Sequence, residues 1–157
     1  MSSGGFFNLQ TPKDLLGKLQ HDMGRLEADW LDQYAAFDFF ITAHHLLEWL
    51  RQTPRSREGR RHEKNGAVLQ SICAEIANGS KHFRPKHGAD PSTGGTRLHK
   101  GAFREGAFSQ AFSEAFDITR LEFTLEGKAA KEYGATITAP TLARKVLAFW
   151  EGHPDLK

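Results

Sequence analysis

Cysteine is nearly missing from this chain. Cys73 stands alone among 157 residues, so no disulfide can close within the chain and a cysteine-rich zinc site is excluded. The stretch MSSGGFFNLQ at the amino end has neither a basic segment nor a long apolar run, and no secretory signal is expected there. No run approaches about 18 consecutive apolar residues, so no membrane span is expected. A surplus of one charge is lacking too: 21 basic residues face 19 acidic ones, for a net charge of +2. Bulk charge therefore does not point to nucleic acid, and any such case rests on local clusters. Neither GxxxxGKS/T nor GxSxG occurs, which removes the P-loop and the nucleophile elbow. The expectation is a cytoplasmic protein with no cofactor and no membrane partner.

What is present suits a packed chain. Apolar residues make up 39% and charged residues 25%, and the length suits one domain, residues 1–157, with a core of its own. Thr11 and Pro12 read as an N-cap and first-turn proline. Leu15, Leu16, Leu19, Met23 and Leu26 then recur at helical spacing, which predicts a helix over about 12–27. A second helix is predicted over about 29–52, where Tyr34, Phe37, Phe40, Ile41, Leu46, Leu47 and Leu50 leave no broad polar face. Such a helix belongs at the centre of a bundle or at an oligomer interface. The basic, breaker-rich RQTPRSREGRR follows, then a third helix over about 60–82 with Val68, Leu69, Ile72, Cys73 and Ile76 as its apolar stripe.

FRPKHGADPSTGGTR, residues 83–97, has no periodicity and is expected to be a long loop, its TGG a flexible piece of it. The repeated phenylalanines Phe103, Phe108, Phe112 and Phe116 leave strand and helix open, with strand favoured for part of the segment. Ile118, Leu121, Phe123 and Leu125 alternate, which predicts a strand, with residues 134–139 as its hairpin partner. Thr138 to Thr141 caps a closing helix with Leu142, Val146, Leu147 and Trp150 facing inward. The expected class is mainly α with a small β element (α+β). It comprises a bundle of three helices over about 11–83, a loop over about 84–101, and a short antiparallel hairpin with a closing helix over about 102–152.

Three groups of residues could carry chemistry. His44 and Glu48 stand one helical turn apart, and Asp38, Thr42 and His45 share a neighbouring face. Imidazoles and a carboxylate in this pattern suit an acid–base pair or a metal-ligand set. Equally, they suit a polar layer that satisfies itself and fixes how the second helix packs. With no HExxH or Glu-x-x-His to bring in further ligands, no metal is assigned. His44, His45 and Glu48 are expected to form the polar layer, with a metal-binding bundle on the same three as the alternative. In the second group, Ser71, Glu75, Asn78 and His82 align on the third helix beside its apolar stripe. They offer a carboxylate, an amide and an imidazole to one ligand. The other reading is a helix end, with Asn78-Gly79 unwinding the helix and Lys81 and His82 at its negative pole. The third group is basic. Arg51, Arg55, Arg57, Arg60, Arg61 and His62 precede the third helix, and Lys81, His82, Arg84, Lys86 and His87 follow it. They suit a phosphate backbone, or a solvated surface. Cys73 lies on the apolar stripe and is expected to be an inert core thiol.

FFITAHHLLEWL followed by ICAEIANGSKHF resembles small bacterial and phage-type proteins related to the HEPN superfamily. The resemblance spans about residues 11–83. It implies a helical bundle, often dimeric, of a kind found among toxins, abortive-infection proteins and RNA-processing factors. Active members carry an arginine, a polar residue, three variable residues and a histidine. Asn78 to His82 match the latter part, and Ala77 stands in place of the arginine. Arg57 and His62 repeat the spacing without the asparagine. The resemblance implies metal-independent RNA cleavage with His82 as acid–base residue, Asn78 and Glu75 beside it, and Lys81, Arg84 and Lys86 on phosphate. Without the arginine, which would hold the scissile phosphate, it equally implies an inactive relative that binds RNA or a protein partner as a homodimer. The alternative is an oligomeric scaffold protein without ligand chemistry.

Overall fold

The computed structural model describes residues 6–81, 91–100 and 119–157. His82, Arg84, Lys86 and the phenylalanine repeat at 103–116 lie outside the described residues.

Helix α1, Pro12–Ala28, opens on a capping box. The Thr11 hydroxyl accepts from the Asp14 amide at 3.2 Å, and the Asp14 carboxylate accepts from the Thr11 amide at 2.8 Å, so two otherwise orphaned donors are satisfied. Its buried face is the predicted one: Leu15, Leu16, Leu19, Met23 and Leu26. Helix α2, Gln33–Leu50, begins four residues later than expected. Asp32 sets that start, because its carboxylate accepts from the amides of Tyr34 and Ala35. Ala35, Ala36, Phe39, Phe40, Ala43, Leu46, Leu47 and Leu50 are buried, while Tyr34, Phe37, His45 and Glu48 are exposed. The helix therefore has an open side that its composition conceals.

The single helix expected over 60–82 is two. Helix α3, Arg57–Asn65, and helix α4, Ala67–Lys81, meet at Gly66. A side chain at Gly66 would collide with the Phe149 ring, so the closing helix packs against the break itself. Asn78-Gly79 does not end α4, which continues to Lys81.

The segment expected to end a loop is strand β1, Thr93–His99. It pairs antiparallel with β2, Arg120–Leu125, with Arg97 opposite Glu122 and Leu98 opposite Leu121. A bulge separates Thr93 from Gly95, whose φ of 151° suits glycine. Strand β3, Thr136–Thr138, lies on the other side of β2. The β2–β3 connection is no tight turn but helix α5, Gly127–Tyr133. Helix α6, Ala139–Glu151, starts at Thr138, whose hydroxyl accepts from the Thr141 amide, and a 3-10 turn, Pro154–Leu156, follows. The architecture is mainly α with a small antiparallel sheet of three strands. Among the described residues no helix is long and apolar enough to cross a membrane.

The core joins α1, α2, α4 and α6 to the inner face of the sheet. Phe40 stands edge-on to Phe39 at 5.2 Å and to Phe123 of β2 at 5.1 Å, so one ring links the bundle to the sheet. Two polar residues of α2 that spacing grouped with His45 serve α1 instead. Thr42 donates to Asp22, only 2% exposed, which also pairs with Lys18, and Asp38 pairs with Arg25 at 2.6 Å.

The end of the described chain is clipped to α3. The Asp155 carboxylate accepts from the Ser56 amide, and His153 is fully buried against His62, Glu63 and Trp150. His153 Nδ1 accepts from the Asp155 amide at 3.2 Å, so the neutral ring carries its proton on Nε2, facing Glu63 Oε1 at 3.6 Å. Burial, joined by the neighbouring His62, pushes the His153 pKa below its ordinary 6.5, while Asp155 and Glu63 oppose the shift. His44 is pushed the same way by burial. A group with a depressed pKa in the folded state stays neutral there while the unfolded chain takes up the proton. Stability is therefore fully present above pH 6.5 and falls as the pH drops through the unfolded value, levelling off below the folded one. Each pH unit between the two pKa values is worth about 1.4 kcal/mol. Urea midpoints are expected to be flat from about pH 8 to 7 and to fall from about pH 6.5 to 5.5, with a smaller fall in His153→Gln. An unchanged slope in that variant would place the titrating groups elsewhere.

Candidate functional site: a cleft between α2 and α4

Two helical stripes face each other. On α2 the spacing 41, 44, 45, 48 brings Ile41, His44, His45 and Glu48 to one side, and on α4 the spacing 74, 77, 78, 81 does the same for Ala74, Ala77, Asn78 and Lys81. With Ser80 they line a cleft of about 390 Å³. The small side chains of Ala74 and Ala77 keep the helices from filling it. Ala77 thus contributes only a methyl to the wall.

Glu48 is the centre of charge. Its Oε2 accepts from His45 Nδ1 at 2.6 Å, and its Oε1 lies 3.5 Å from His44 Nε2. The hydrogen bond from His45 holds the Glu48 carboxyl below the usual carboxylate range against the opposing effect of burial, helped by its imidazole neighbours and Lys81. The two imidazoles differ in setting. His45 is exposed, whereas His44 is half-buried, and its Nδ1 has no hydrogen-bond partner among the described residues. A doubly protonated His44 would leave an N–H without an acceptor in the interior, which is why burial keeps the ring neutral. The cleft thus pairs a neutral imidazole with one tied to a carboxylate, opposite an amide and an ammonium group. The expected polar layer lies at an open cleft rather than sealed between helices.

The ridge read on α4 is parted. Asn78 and Lys81 reach the cleft, but Ser71 and Glu75 face the sheet. Glu75 Oε1 accepts from the Ser92 amide at 2.6 Å, and its Oε2 accepts from the Thr93 amide at 2.8 Å and the Thr93 hydroxyl at 2.9 Å. Both oxygens are committed to the start of β1, so Glu75 does not join the candidate catalytic group. A helical wheel gives the angle of a side chain, not the neighbour it meets. Within the first basic cluster, Arg55 is bound to Glu63 at 2.6 Å, and His62 stacks on Phe149 while donating to its carbonyl. Arg51, Arg57, Arg60 and Arg61 are exposed. Cys73 is buried, and burial pushes its thiol up to about 12, so it is no nucleophile.

A second polar group went unread in the sequence. Glu122, 4% exposed, accepts from Arg97 Nε at 2.8 Å and from Arg120 Nε at 2.6 Å. Burial alone would raise its pKa, but the two guanidiniums outweigh it and hold the carboxyl low. Arg97 and Glu122 line another cleft, of about 340 Å³, with Phe37, Leu98 and Leu121. The alternation of Arg120 and Glu122 with Leu121 and Phe123 was the available signal. Its partner Arg97 was hidden because that stretch reads as loop.

No protein-family model, curated protein or solved structure matches the chain.

Proposed function

We propose that the protein is a HEPN-like, cytoplasmic RNA-binding protein whose ligand site is the cleft between α2 and α4. The observation that carries this reading is the convergence of the two stretches behind the resemblance. Asn78 and Lys81 of ANGSKH open on the same cleft as His44, His45 and Glu48 of AHHLLE. A phosphodiester needs positive charge and hydrogen-bond donors, and Lys81, Asn78 and the imidazoles offer both. In sequence His82 follows Lys81 directly, and Arg84 and Lys86 add charge near it.

Binding takes precedence over cleavage. Ala77 supplies no guanidinium for the scissile phosphate, and Glu75 is tied to β1. Where cleavage occurs, His82 moves the proton, Asn78 orients it or the phosphate, and no metal takes part. A second reading, an oligomeric scaffold protein without ligand chemistry, draws on the exposed apolar side chains at the other cleft. There Phe37 is 46% and Leu98 50% exposed.

The test is retention and cleavage of mixed cellular RNA by the purified protein at low salt with chelator present, beside Lys81→Ala and His82→Ala. Salt-dependent retention is expected, weakened in Lys81→Ala with a salt slope smaller by about 1. Chelator-resistant cleavage that His82→Ala abolishes would identify a divergent ribonuclease. No retention at low salt would sink the RNA reading and turn the search to protein partners, beginning with a second copy of this chain.

A further inference from the structure

We infer that His44, His45 and Glu48 form a binding site for one exchangeable divalent transition-metal ion of the zinc class. The donor atoms of the three residues all lie within 4.8 Å of one another. Ligands about 2.0–2.2 Å from one ion stand at most about 4.4 Å apart, so small rotamer changes close the set. The convergence comes from the helix itself. At about 100° per residue, Glu48 falls about 40° from His44 and about 60° from His45, between the two in angle and one turn along the axis. A single helix thus presents three ligands without help from a second motif. This is why searching the sequence for a paired motif finds no site.

The donors select the ion. Two imidazole nitrogens and one carboxylate oxygen suit zinc, cobalt or nickel, whereas magnesium and calcium prefer oxygen alone. His44 Nε2 already stands 3.5 Å from Glu48 Oε1, so these two donors face one another before any ion arrives. The remaining coordination positions face the cleft, open to water or to a ligand held by α4. An ion on His44 Nε2 leaves the ring proton on Nδ1, which has no acceptor among the described residues. Metal-ligating histidines ordinarily hand that proton to a carboxylate or carbonyl. Its lack here makes the ion exchangeable rather than a structural clamp.

The inference stands apart from the RNA reading, and Lys81 separates the two. Its ammonium group lines the same cleft as Glu48, so it attracts phosphate and repels a cation. Lys81→Ala is expected to weaken RNA retention while leaving ion binding intact or stronger. The decisive experiment strips the purified full chain with chelator, then titrates it with zinc chloride by calorimetry and with cobalt chloride by visible absorption, magnesium chloride serving as the hard-ion control. One zinc per chain and a cobalt ligand-field band are expected, with no magnesium uptake. Loss of a supporting residue around a metal lowers affinity about 10- to 100-fold, and each of His44→Ala, His45→Ala and Glu48→Gln is expected to lower it at least that much. Circular dichroism checks that each variant is folded. No stoichiometric zinc uptake, or uptake that survives all three substitutions, would overturn the inference.

Discussion

Glu75→Ala is expected to destabilise the protein by about 3 kcal/mol, with the loss concentrated where β1 begins. The carboxylate accepts three hydrogen bonds, from the amides of Ser92 and Thr93 and from the Thr93 hydroxyl. A hydrogen bond to a charged group contributes about 1.5–3 kcal/mol, and buried donors left without an acceptor add a desolvation penalty. Glu75 is partly exposed, whereas Ser92 and Thr93 are buried. The three bonds share one side chain, so the total falls well short of their sum. Glu75→Gln keeps one oxygen acceptor and is expected to lose about half as much. Urea unfolding gives the totals, and amide exchange at β1 gives the location. A change within about 0.5 kcal/mol, the range of an uninvolved surface position, would mean that β1 is held from elsewhere. A carboxylate serving only at a ligand site would show the opposite pattern, with function lost and stability kept.

That residue also shows what could be read in the sequence. Local signals were sufficient for α1, whose cap, first-turn proline and apolar stripe all lie within the helix. The break at Gly66 was not legible, because the ring that requires a glycine there is Phe149, far along the chain. Strand β1 was hidden for the same reason. Thr93-Gly94-Gly95 has turn composition, and only pairing with β2 and the grip of Glu75 make it a strand.

The candidate site divides along similar lines. His44, His45 and Glu48 were found together because their geometry belongs to one helix. The ridge from Ser71 to Asn78 was not one surface, because its near end meets the sheet and its far end meets α2. Likewise Asp38 and Thr42 share an angle with His45 but turn to Arg25 and Asp22.

The sheet has a second anchor, and removing it is expected to be the most damaging single change. Phe40 is fully buried and touches Phe39 and Phe123 edge to face. Truncating a buried phenylalanine typically costs about 3–5 kcal/mol, part of it from the cavity left behind, and Phe40→Ala is placed in that range. Phe40→Leu retains most of the apolar volume but loses both aromatic pairs. Each pair adds about 0.5–1.5 kcal/mol beyond burial, so that variant is expected to lose about 1–3 kcal/mol. The two anchors act on different strands, Glu75 from α4 on β1 and Phe40 from α2 on β2, and β1 and β2 share one ladder. If the sheet docks as a unit, the Glu75→Ala and Phe40→Leu losses in the double variant will depart from additivity by more than about 0.5 kcal/mol. Additive losses would mean that the strands are held separately, each by its own helix. The α2–α4 cleft would then keep its shape when either strand is released, since its two walls are those same helices.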